Sequence, residues 1–102
     1  MEAKKEFCGE WAFDDPPNVA VITTTYVTHA GKPILYVSHD ADDGSWQFHS
    51  SDAVSEKDAM IVALGEILEI DSSIAELANL PIGWCAIRRN SNEAWKLSKA
   101  EE

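Results

Sequence analysis

Ile34-Leu35-Tyr36-Val37-Ser38-His39, then Asp40-Ala41-Asp42-Asp43-Gly44, then Ser45-Trp46-Gln47-Phe48-His49: this stretch sets two short β-favouring runs on either side of an acidic turn. The second run alternates with period two, which sends Trp46 and Phe48 to one face of a sheet and Gln47 and His49 to the other. With Leu35 and Val37 on the face of Trp46 and Phe48, the pair buries a single apolar side. Gly44 supplies the positive φ that such turns commonly need.

Working upstream, Val19-Ala20-Val21-Ile22-Thr23-Thr24-Thr25-Tyr26-Val27-Thr28 is dominated by β-branched and aromatic residues and predicts a strand. Ala30-Gly31-Lys32-Pro33 is turn chemistry, so this strand and the next read as a hairpin, and the three strands as an antiparallel meander. Residues 1–18 form a lead-in segment, broken by Pro16 and Pro17 and held on the body by Trp11 and Phe13.

Downstream, Ser55-Glu56-Lys57-Asp58 has the spacing of a serine N-cap with an acid at the third helical position. Met60, Ile61, Leu64, Ile67 and Leu68 then recur at helical spacing, predicting one long helix from Glu56 to Ile70. Ser73-Ile74-Ala75-Glu76 repeats the cap on a shorter helix ended by Pro81. Trp84-Cys85-Ala86-Ile87-Arg88 reads as a later strand, Trp95 anchors a short fifth piece, and residues 99–102 fray. The expected class is α+β: a mostly antiparallel sheet, a three-strand meander plus a later strand, packed against one long and one short helix. Residues 19–98 make the single domain, in keeping with a length of 102 residues.

The chain carries 18 acidic and 8 basic residues, a net charge of −10 with histidines neutral. Phosphate neutralisation needs clustered cations, so this balance opposes nucleic-acid binding and favours a basic partner. No apolar run approaches the ~20 residues that span a bilayer, and Met1-Glu2-Ala3-Lys4-Lys5-Glu6 leads into no apolar segment. A cytoplasmic protein without a membrane partner is expected.

Chemical motifs are sparse, and no cofactor signature occurs. His29, His39 and His49 invite a metal reading, but their strand-end positions do not converge in a meander, so no metal site is expected. Asp40, Asp42 and Asp43 begin like a calcium loop, yet Ser45 and Ser51 stand where its glycine and glutamate belong. Cys8 and Cys85 form no paired motif and read as free thiols. Cys85 sits inside an apolar strand pattern. A catalytic partnership between Cys85 and a histidine remains open as an alternative, because such partners need not be near in sequence. Among the tryptophans, Trp46 and Trp84 read as core, and Trp11 and Trp95 as lids or interface residues.

The segments Gly31-Lys32-Pro33-Ile34-Leu35-Tyr36, Asp43-Gly44-Ser45-Trp46-Gln47-Phe48, Leu64-Gly65-Glu66-Ile67-Leu68 and Leu80-Pro81-Ile82-Gly83-Trp84, with Arg88 and Trp95 behind, occur in that order. In this the chain resembles a small bacterial family of unknown function, some of whose members are labelled immunity proteins of polymorphic toxin systems. Ser51 stands where many members carry glycine, a departure at the turn after Phe48. The family has no established active site, so the resemblance implies no catalytic residue. It implies a binding protein, and an acidic inhibitor of a basic toxin would gain a fast encounter from its charge. The expected function is therefore non-catalytic binding of a basic protein such as a toxin, with Asp40, Asp42, Asp43 and Trp95 as contact residues. The alternatives are a small enzyme or ligand-binding domain using Cys85 or the histidines, and a homodimer built on a sheet edge.

Overall fold

The computed structural model describes residues 11–52 and 55–99. The strands are β1 (Ala20–Thr24), β2 (Tyr36–His39), β3 (Trp46–His49), β4 (Ala59–Ala63), β5 (Trp84–Ile87) and β6 (Lys96–Lys99). Helical segments are a single turn, α1 (Thr25–Thr28), a longer α2 (Leu64–Ile70), and two 3₁₀ stretches, Glu56–Asp58 and Ser72–Leu77. The strands make one mixed sheet in the order β4-β1-β3-β2-β5-β6.

The class is α+β, but the meander does not form. β3 inserts between β1 and β2 and runs parallel to β1, with Ile22 beside Gln47. The other pairings are antiparallel. The cause lies at Thr24: the β-branched run does not stay extended to Thr28 but turns helical, with the His29 and Ala30 amides both donating to Thr25 O at 2.8 and 3.1 Å. That turn carries the chain away from β1, leaving the slot beside it for β3. The predicted hairpin at 34–49 does form, with Val37 opposite Phe48 and His39 opposite Trp46.

The long helix is the second correction. Only its latter half is α-helical. The Ser55–Asp58 cap is made, with the Ser55 amide donating to Asp58 Oδ2 at 3.0 Å, but it closes a 3₁₀ turn rather than starting a long helix. Met60 and Ile61 then belong to β4, which pairs with β1 along its whole length. A run such as Ala59-Met60-Ile61-Val62-Ala63 suits a pleated surface as well as a helix, and the five cross-strand pairs with β1 decide it. Ile61, expected on the buried stripe, is 73% exposed. At Ala63 the chain turns into α2 without a polar N-cap side chain. Glu66 accepts from the Ala63 amide at 3.2 Å, while the Leu64 and Gly65 amides donate to Val19 O and Pro17 O at 2.9 and 2.8 Å. Three donors at the helix start thus find acceptors.

The core joins one sheet face to the helical segments. Val37 stands opposite both Phe48 and Ala86, and these three meet Val21, Leu64, Ile67, Ile74 and Leu77 in one buried cluster. Phe13 is buried against Trp46 in an edge-on contact at 5.1 Å, which ties the described part of the lead-in segment to the body. β6 takes in Lys99, one residue beyond the predicted domain limit.

Candidate functional site

The reverse face of the sheet carries a transverse row set by strand register: Ile61, Ile22, Gln47, Ser38, Cys85 and Ser98 lie side by side across the strands. Asp40 folds back onto this row from the end of β2. It accepts from Ser38 Oγ at 3.0 Å and from Gln47 Nε2 at 2.7 Å, and Gln47 Oε1 in turn accepts from His49 Nε2 at 3.0 Å. The carboxylate expected to steer a partner is therefore the hub of an internal network.

His49 is half-buried here, and burial holds its pKa below the ordinary 6.5, with the Asp40 charge opposing. Burial, followed by the charges of Cys85 and Asp40, raises the Tyr36 phenol above 10.0. A base whose folded pKa is lowered gives up stability on acidification: the contribution is complete above the unfolded value and is lost as pH falls through the folded one. His49→Gln, which keeps a donor for Gln47, should accordingly flatten the decline in Tm between about pH 7 and pH 5. Melting curves across that range check it, and a slope equal to that of the parent would show that His49 is not a source of the decline.

Around the turn, Asp42 is exposed, and Asp43 accepts from the Ser45 amide at 3.1 Å. That hydrogen bond lowers the Asp43 pKa from its usual value. Gly44 takes φ 75° and closes the turn by donating to Asp40 O at 2.9 Å. The loop 78–83 lies alongside: a methyl group on Gly44 would stand 3.8 Å from Ile82 Cδ1, and one on Gly83 3.8 Å from Ala41 Cβ. The Gly83 amide donates to His39 O at 2.6 Å. On the other side of Ile82 a cleft of about 260 Å³ is lined by Asp14, Asp15, His39 and Trp46. Asp15 is anchored there, its Oδ2 accepting from Trp46 Nε1 at 3.1 Å, while Asp14 is exposed. Ile82, 57% exposed, is thus bracketed by Asp14 and by the acidic turn. The sequence carried the signal for Asp14 and Asp15 in Asp14-Asp15-Pro16-Pro17, but nothing local tells that this segment returns to the end of β2.

The histidines are dispersed. His29 is exposed beside Thr28 Oγ1, His39 stacks on Trp46 at 3.9 Å and donates from Nδ1 to Leu80 O at 2.7 Å, and His49 faces the reverse side. Among the described residues no group of three or more His, Cys, Asp or Glu side chains could hold a metal ion. Cys85 is a free, half-buried thiol 3.5 Å from Ser98 Oγ; β2 separates its strand from that of His49. Cys8 lies outside the described residues. Trp95 covers Arg88, with the guanidinium carbon 4.1 Å from the ring centroid, and its indole N–H is buried without an acceptor among the described residues. Its ring is partly buried against the core. Among the described residues no helix is long and apolar enough to cross a membrane.

Comparison with family models, with curated proteins and with solved structures found no match.

Proposed function

We propose that the protein is a non-catalytic binding domain that engages a basic protein through the loop end built around Ile82, in the manner of an immunity-type inhibitor covering a toxin. One observation carries the reading: segments 14–15, 40–44 and 78–83, distant in sequence, bring Asp14 and the turn that holds Asp42 and Asp43 to an exposed isoleucine. Apolar surface ringed by charge suits a partner that is steered electrostatically and then held by burial. The net charge of −10 extends the attraction beyond contact distance. The family resemblance supplies the inhibitor role, and a cytoplasmic site of action goes with it.

Co-expression with a basic toxin that the chain neutralises supplies the partner for the test. In the triple variant Asp14→Asn, Asp42→Asn, Asp43→Asn the turn bond to the Ser45 amide can still form, and Asp40 is left in its network. Association at low salt should slow by about tenfold, and the deficit should shrink as the Debye length falls to about 8 Å at physiological ionic strength. An unchanged on-rate at low salt removes this end from the interface.

A further inference from the structure

Against the acidic whole, Arg88, Arg89, Lys96 and Lys99 are half of the chain's 8 basic residues and crowd around one sheet edge. Two of them are neutralised locally. Arg88 is paired with Asp71 at 2.7 Å, and Arg89 with Glu93. Lys96 and Lys99 are exposed on β6 and form no ion pair among the described residues, so the edge strand carries the excess charge. Between the lysines Leu97 is 50% exposed, and beside Lys96 its cross-strand neighbour Ile87 is 51% exposed. A cleft of about 440 Å³ opens at this corner between Ile87, Arg89, Glu93 and Lys96.

Among the described residues β6 ends the sheet order, so no strand of theirs pairs with its outer N–H and C=O groups. Lysines on such an edge reject a second copy of the same strand, because the ammonium groups of both copies would share one short ladder. They do not reject a strand of opposite charge; the repulsion that excludes self-pairing becomes attraction. The other edge, β4, carries no charge and is flanked by Asp58 and Glu66, so the two edges are not equivalent.

We propose that β6 is a docking edge for an extended acidic segment of a partner protein, added antiparallel as a seventh strand. Carboxylates would stand opposite Lys96 and Lys99 and an apolar side chain opposite Leu97, the carboxylate opposite Lys96 sharing the face of Ile87 and its cleft. Main-chain hydrogen bonds would supply most of the affinity, and the lysine positions the selection. This surface is separate from the acidic loop end and does not depend on it.

The probe is a capped peptide containing Glu-Thr-Val-Glu, titrated into the full chain with backbone amides observed by NMR. Saturable binding is expected, with the largest shifts at residues 96–99 and an affinity that falls as salt rises. The exposed pair Lys96→Glu, Lys99→Glu should leave Tm unchanged while weakening the peptide about tenfold or more. The Asp14, Asp42, Asp43 variant should bind it as the parent does, which keeps the two surfaces distinguishable. Absence of binding, shifts centred on residues 59–63, equal affinity in the lysine variant, or self-pairing of β6 at high concentration would each overturn the proposal.

Discussion

Arg88→Ala is expected to destabilise the protein by about 3–5 kcal/mol, a large share of the roughly 5–15 kcal/mol that holds a domain of ordinary stability. The guanidinium is a buried junction. Its Nε and one terminal nitrogen donate to Ile34 O at 3.1 and 2.9 Å, and that same nitrogen reaches Asp71 Oδ2 at 2.7 Å. The other terminal nitrogen reaches Ser73 Oγ at 3.3 Å. One side chain thereby ties the end of β5 to the segment before β2 and to the start of the second 3₁₀ stretch. Truncation leaves Ile34 O without its side-chain donors, Asp71 without its counter-charge and Trp95 without the cation beneath its ring. The loss, not any net gain from forming the pair, sets the magnitude. Urea unfolding measures it, and a cost under about 1 kcal/mol would mean that water reaches Asp71 and Ile34 O once the side chain is gone.

Phe48→Ala should cost a similar 3–5 kcal/mol, for a different reason. Phe48 is 0% exposed at the centre of the sheet, opposite Val37 and beside Trp46, whose ring is 6.1 Å away and nearly parallel. Its neighbours are held by strand register, so the space left by the ring cannot collapse, and lost transfer energy adds to the cavity. Its backbone carbonyl also accepts from Thr23 Oγ1 at 2.8 Å, so relaxation there would strain the contact with β1. Ile61→Ala on the exposed part of β4 is the control and should stay within about 0.5 kcal/mol. Equal midpoints for the two variants would displace Phe48 from the centre of the core.

What could be read in advance followed the range of the interactions. The hairpin at 34–49 was legible because alternation, turn residues and pairing all lie within it. Phe13, Trp46 and Leu64 were likewise recognisable as apolar anchors. Residues 56–63 were not, since a helical spacing of Met60, Ile61 and Leu64 competes with a strand of the same residues, and only β1, far upstream, breaks the tie. The insertion of β3 beside β1 was hidden for the same reason. At the loop end, Asp42 and Asp43 were visible as a charged turn, while Asp14 and Ile82 join them only through tertiary folding. Asp40 shows the limit of reading charge as availability: two side-chain donors hold it at less than or equal to 3.0 Å.

The position of β1 also bears on the order in which the chain leaves the ribosome. Synthesis delivers the N-terminal strand first. Its two neighbours, β3 and β4, both come later, and the acceptor for the Thr23 hydroxyl arrives only with Phe48. Until then Val19 to Thr28 is an uncharged, β-branched stretch without its two neighbours among the described strands, a composition prone to self-association. The first complete structure it can lean on is the β2–β3 hairpin, closed by its acidic turn. Asp14 and Asp15 just before the stretch and Asp40, Asp42 and Asp43 beyond it set like charges on both sides of it, which opposes association between copies of the unpaired strand.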